Sequence, residues 1–290
     1  MGVELVTQYQ PYVDELFTQE SKKSLVTNQD LSWTGAHTVK VYKIGTADMQ
    51  DYDRAGTGAN SSRYGVVQGL DATTEEFTLR KDRSFTFAIN KLDTDETGGT
   101  LAAASALARQ MREKVIPEVD KYTYQKMAEG AGIIDKPKNG FPADMTYSYL
   151  CDANLALDNE DVPEQGRILL ISPDLYRQLK QDMDLRLNCD IGLEMRMKGV
   201  IAELDGTLIV KVSDKIMPDV TVDDVTYHVP FMLCHPCATV APTKLESYKT
   251  HQDPPGINGD LVEGRIVYDA FILDNKKNAI FAAYCPQKTV

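Results

Sequence analysis

The residues whose types and spacing could do chemistry are Cys234, His235, Pro236 and Cys237, a C-x-x-C pair at the end of an apolar run. Two thiols at that spacing can form a redox dithiol or supply half of a tetrahedral zinc site. A redox dithiol normally sits at a helix start, yet this pair lies within or beside a strand-like stretch. Zinc would need two further ligands. Cys189, His228 and His251 exist, but none stands at a metal-finger spacing. The competing reading is structural, with small side chains filling a buried strand, and the apolar surroundings favour it. Cys151 and Cys285 read as single packed thiols.

Other motifs carry less. Gly56-Thr57-Gly58 has the start of a phosphate-cradling loop but lacks the third glycine, the lysine and the following helix. Asp219, Asp223 and Asp224 are acidic without the ligand spacing of an EF-hand, so they read as a solvated loop. No G-x-S-x-G, no H-E-x-x-H and no nucleophile beside a base occurs. The expectation is therefore a protein that is not an enzyme, with no catalytic residue, no cofactor and no metal. A thiol or zinc enzyme built on Cys234 and Cys237 is the remaining alternative.

Composition narrows the class. The chain has 31 Lys and Arg against 43 Asp and Glu, a net charge of −12, which argues against a surface built to grip nucleic acid tightly. Five cysteines, an odd number, do not make a disulfide framework in 290 residues. The first residues lack a basic segment followed by an apolar core, and no run of about 18 apolar residues occurs. A soluble protein made in a cytoplasm, without a membrane partner, is expected.

The elements that must position any site centre on one long helical pattern, Thr97 to Gly132. Leu101, Ala104, Ala108, Met111, Val115, Val119 and Tyr122 recur at helical spacing, a stripe expected to pack on a long sheet. Thr97 and Thr100 can cap its start, behind the acidic step Asp93, Asp95 and Glu96, and Gly130 or Gly132 can end it. Pro117 predicts a kink, and Arg109, Arg112, Lys114 and Lys121 fall on a polar face.

Before this helix, residues 1–35 hold one short helical pattern near Pro11 and read as an arm lying on other structure. His37 to Ile44 alternates as a strand. A polar, glycine-dotted stretch follows from Gly45 to Gly65. Phe77 and Leu79, then Phe85, Phe87 and Ile89, alternate as strands, with a turn expected at Lys81 to Ser84. Together they predict a β-arm with a long tip. After the helix, Arg167 to Ser172 reads as a buried strand, Pro173 breaks it, and Asp174 to Asp182 continues as a helix. Asp205-Gly206 predicts a hairpin turn, and Val225 to Pro242, Gly264 to Leu273 and Asn278 to Tyr284 hold further strands.

This order of parts resembles the major capsid proteins of tailed bacteriophages, which have the Hong Kong 97 fold. The resemblance covers essentially the whole chain and rests on the sequence of elements, not on one motif. It implies an α+β subunit with an N-terminal arm (1–35), an extended β-loop (36–95), and a peripheral domain carrying the long spine helix (96–165). An axial domain (166–243) and return strands (244–290) would follow. It further implies self-assembly through hexamers and pentamers into an icosahedral shell enclosing double-stranded DNA without sequence-specific contacts. A separate scaffolding protein and a portal would be partners, and the virion the destination after synthesis in a bacterial host. An encapsulin-like compartment is the alternative within the same fold. Arg54, Arg63, Arg80 and Arg83 are the expected contacts to acidic patches of neighbouring subunits, including Asp93, Asp95 and Glu96.

Overall fold

A computed structural model describes residues 21–28, 38–56, 63–66, 68–69, 72–96, 103–137, 146–181 and 203–286. The chain forms two units, Trp33–Arg80 and the remainder, Met1–Ser32 with Lys81–Val290.

The smaller unit is built on an antiparallel pair, β1 (Thr38–Ile44) and β2 (Ala72–Thr78), running from Thr38 opposite Thr78 to Ile44 opposite Ala72. Alternating β-branched residues suit both strands, and Lys43 pairs with Glu75 at 3.2 Å across them.

The larger unit contains two principal sheets. In the first, β3 (Lys81–Asn90) lies beside β12 (Gly259–Tyr268), which in turn pairs with β11 (Thr243–Gln252), all antiparallel. Residues 81–90, expected within the extended loop 36–95, thus pair along their whole length with β12 in the larger unit. Residues 81–84 form strand and not the expected turn, because all ten residues of β3 find partners on β12, from Lys81 opposite Tyr268 to Asn90 opposite Gly259. The acidic step lies on α2 (Lys91–Glu96), which follows β3 directly.

The second sheet follows the order β4 (Ile133–Asp135), β14 (Ile280–Pro286), β9 (Val225–Cys234), β5 (Ile168–Ile171), β7 (Thr207–Lys211) and β6 (Glu203–Leu204). Strand β8 (Asp219–Val222) pairs onto β9. Its central strands, β5, β14 and β9 from Val229 onward, are apolar in unbroken runs because both faces are covered there. Ile168, Leu170, Met232, Cys234, Ile280, Ala282 and Tyr284 enter one core. Leu169, Ile171, Phe231, Leu233, Phe281 and Ala283 enter the other, against helices α5 (Thr146–Asp158) and α6 (Pro173–Gln181). The expected Asp205-Gly206 turn joins β6 to β7, with φ of 51° and 69°, the left-handed pair a two-residue hairpin requires.

The long helix runs unbroken through the described residues as α3 (Ala103–Gln110), a π-helical turn (Met111–Val115) and α4 (Ile116–Glu129). The Ile116 amide donates to the Met111 carbonyl, five residues back. Pro117 comes next, without a donor and with a ring that crowds the Glu113 carbonyl, so the strain expected there is taken up by one widened turn. Of the expected stripe, Val119, with half-buried Val115 and Tyr122, packs on Ile266 and Tyr268 of the three-stranded sheet, and Ala108 is exposed. A second face of α4 that the stripe did not include, Tyr124, Met127 and Ala128, meets the larger sheet. Thr97, Thr100, Leu101 and the side chain of Ala104 lie outside the described residues. The helix ends as expected at Gly130, whose amide reaches the Lys126 carbonyl at 3.0 Å.

Of the N-terminal arm, residues 21–28 are described, and they lie on the body. The short helix α1 (Lys23–Val26) buries Val26 completely in the core beside α4. The Asn28 amide donates to the Thr239 carbonyl at 2.7 Å.

Candidate functional site

The thiol pair is built into the sheet. Cys234 is the last residue of β9 and fully buried, its Sγ–H donating to the Ile168 carbonyl at 3.6 Å. Burial, together with the nearby Cys237 thiol, pushes the Cys234 pKa up to about 12. A thiol so far from ionisation is a poor nucleophile. His235 does structural work. Its Nδ1 accepts from the Cys237 amide at 3.2 Å, so Nε2 is left to donate to the Gln165 carbonyl, also at 3.2 Å. Among the described residues no three His, Cys, Asp or Glu side chains converge as metal ligands. Cys189 lies outside them, while His228 and His251 pair with carboxylates elsewhere. The geometry gives the C-x-x-C segment a role in packing and in pinning a loop.

The smaller unit offers a different kind of site. Beyond β1 and β2 the two arms stay together without strand pairing. The Gln50 side-chain amide stands in for a backbone group, accepting from the Val66 amide at 2.7 Å and donating to the Val66 carbonyl at 3.2 Å. Gly65 makes room for it, because a Cβ there would sit 1.9 Å from Gln50 Oε1, and its φ of 85° is left-handed. Further along, the Asp53 amide donates to the Arg63 carbonyl, and Tyr52 meets Tyr64 edge-on at 5.1 Å. This ribbon presents Tyr42, Met49, Tyr52, Tyr64 and Val66 to solvent, with Met49 98% and Tyr64 80% exposed. So many large apolar side chains on one ribbon are the mark of an interaction surface.

The predicted contact residues are distributed over three places. Arg54 and Arg63 are exposed on the ribbon, Arg63 lying beside Gly56, and Arg80 is exposed where the smaller unit ends. Arg83 sits on β3 and pairs within its own chain, donating to Glu118 of α4 at 2.8 Å. Asp93 is exposed on α2, and the side chains of Asp95 and Glu96 lie outside the described residues. Of the predicted contact residues, Arg83 thus has a partner in its own chain, Glu118.

Sequence reasoning missed the group around Arg83. Tyr268 also donates to Glu118 at 3.3 Å, and Tyr122 donates to the buried Asp269 at 2.8 Å. Burial and the Asp269 carboxylate push the Tyr122 phenol well above its usual range. Between helix and sheet lies a cavity of about 290 Å³, lined by Arg83, Phe85, Lys114, Val115, Ile266 and Tyr268. The available signal was the exposed-helix position of Glu118, one turn from Lys114 and Lys121.

A scan of the sequence against protein-family models finds no match, and neither does a search of curated proteins. Solved structures do match, over almost the entire chain. A chain of Mycobacterium phage Che8 superposes with a TM-score of 0.74 at 15% identity, covering 98% of both chains. The capsid structure of cyanophage P-SCSP1u gives 0.73 at 15% identity, covering 98% of this chain and 94% of that one. The acid-stable capsid of Helicobacter pylori bacteriophage KHP30 gives 0.74 at 10% identity, covering 97% and 95%. The fold is therefore that of phage capsid subunits, the Hong Kong 97 type that the order of elements implied. At these identities the fold is what is shared.

Proposed function

We propose that the chain is a major capsid protein that assembles with copies of itself into an icosahedral shell around packaged double-stranded DNA. The observation that carries this reading is the superposition of nearly the whole chain on phage capsid subunits that are themselves covered almost end to end. An enzyme grafted onto the fold would be expected to add a site, whereas Cys234 is fully buried and Cys237 half-buried against the core.

In this reading Trp33–Arg80 is the extended loop, and its exposed tyrosines and Met49 are covered by a neighbouring subunit. The long helix with the three-stranded sheet is the peripheral domain, and the seven-stranded sheet builds the axial one. Arg54, Arg63 and Arg80 meet acidic groups of neighbours, with Asp93, Asp95 and Glu96 among the partners. A two-stranded ribbon is marginal alone, so contact with a neighbour supplies what its ordering costs. The net charge of −12 suits a wall along which packaged DNA slides. A separate scaffolding protein and a portal complete the assembly in the host cytoplasm, and the mature location is the virion.

Negative-stain and cryo-electron microscopy of the expressed chain, alone and with a scaffolding protein encoded beside it, test the proposal. Closed shells of regular diameter are expected. A persistent monomer or dimer under every condition would overturn it. Shells that co-purify with a cargo enzyme would instead assign an encapsulin-like compartment.

A further inference from the structure

We propose that His228, Asp214 and Asp219 form a protonation-operated tether on the segment that joins β7 to β8. His228 lies on β9, and Asp219 faces it from β8 in the antiparallel register. The His228 Nδ1 is 2.8 Å from Asp219 Oδ1, and its Nε2 is 3.1 Å from Asp214 Oδ1. Asp214 is exposed on the connecting segment, whose Val212 and Met217 are buried and whose Pro218 carbonyl accepts from the Val229 amide at 3.0 Å.

Both contacts are hydrogen bonds only when both ring nitrogens carry a proton, which is the imidazolium form. The neutral ring has one N–H to give. It stays with Asp219, whose contact is shorter and fixed by strand pairing. The bare Nε2 lone pair then faces a carboxylate oxygen of Asp214, and the two repel. Losing the proton therefore releases Asp214 and leaves Asp219 bound. Of the other groups around the ring, Cys285 sits opposite His228 on β14. Burial and the Asp135 charge push that thiol up to about 12, so it stays neutral. The Lys136 ammonium lies 5.2 Å over the ring of adjacent Tyr227. The result is a surface segment that the charged ring holds by one more hydrogen bond than the neutral ring does. This holds whether or not the chain builds a shell.

Hydrogen exchange of the full chain tests it, read as protection factors at about pH 5.5 and about pH 8, on either side of the ordinary histidine range. Residues 213–217 should lose roughly two- to fivefold of their protection at the higher pH, the scale of a partly exposed ion pair. Asp214→Asn should hold protection equal at both values, because its amide can donate to the neutral ring and its oxygen can accept from the charged one. His228→Gln should be equally insensitive to pH. Unchanged protection in the parent chain, or pH dependence that survives in Asp214→Asn, would overturn the proposal.

Discussion

The Ser21 hydroxyl donates a 2.8 Å hydrogen bond to the buried carboxylate of Asp120, ninety-nine positions later, and the Lys22 amide donates to the other oxygen at 3.3 Å. This fastens the N-terminal segment to α4. Burial pushes the Asp120 carboxyl up from its usual range, and the two hydrogen bonds pull it partly back. The folded chain therefore holds that proton more tightly than the unfolded chain, whose aspartates titrate near about 3.9. The associated stability is complete below the unfolded value and is lost as pH rises through the raised folded one. Ser21→Ala should cost about 1–2 kcal/mol where Asp120 is ionised and less in acid. Urea denaturation at several pH values checks this, and a cost independent of pH would contradict it.

The ribbon's exposed aromatics should matter to association and not to folding. Tyr52→Ser with Tyr64→Ser removes an edge contact of 5.1 Å between two exposed rings. The unfolding free energy of the larger unit should change by no more than about 0.5 kcal/mol, the range of surface substitutions. Assembly followed by light scattering should slow severely or stop. Unimpaired assembly would remove these rings from the subunit contact.

Pro117→Ala restores a backbone donor one residue beyond the π-helical turn. The widened turn should close toward ordinary helix, rotating the residues before it by about 100° relative to α4. Val115 would leave its place beside Val119, Ile266 and Tyr268. The expected result is a loss of about 1–3 kcal/mol from mispacking and a narrower range of shell diameters. Calorimetry and cryo-electron microscopy check the two halves. An unchanged π turn would show that tertiary contacts, not the proline, hold it.

Cys234 should resist thiol reagents at pH 8 in the native chain and react at once in denaturant, since burial holds it far above its usual range. Cys234→Ala with Cys237→Ala should keep the fold at a cost of about 1–3 kcal/mol, the scale of small cavities and a lost weak hydrogen bond. Mass spectrometry after alkylation reads the first outcome. Rapid native labelling of Cys234 would revive a reactive thiol.

Legibility in the sequence followed the range of the interaction. Asp205-Gly206, the apolar strands around Leu169 and Met232, and the end of the long helix at Gly130 are local, and each was readable from a few residues. The partner of β3 was not, because Lys81 pairs with Tyr268 across nearly the length of the body. Phe85, Phe87 and Ile89 alternate whether the neighbouring strand is β2 or β12, so pattern alone assigned them to the arm. The second buried face of the helix, Tyr124, Met127 and Ala128, was hidden likewise, since a single stripe at helical spacing names only one partner sheet. Asp120 read as one more helix charge, and only its partner Ser21 explains why it can be buried. Contacts between subunits lie one step further off, since they depend on a second copy of the chain.

The position of β14 has a consequence in time. Residues 280–286 lie between β4 and β9, in the interior of the seven-stranded sheet, yet they leave the ribosome after every other strand of that sheet. Until they arrive, β9 keeps an open edge and the cores on both faces lack Ile280, Phe281 and Tyr284. A partly synthesised chain therefore lacks the closed sheet that a stable subunit needs. Completion of this sheet waits on its last-made strand.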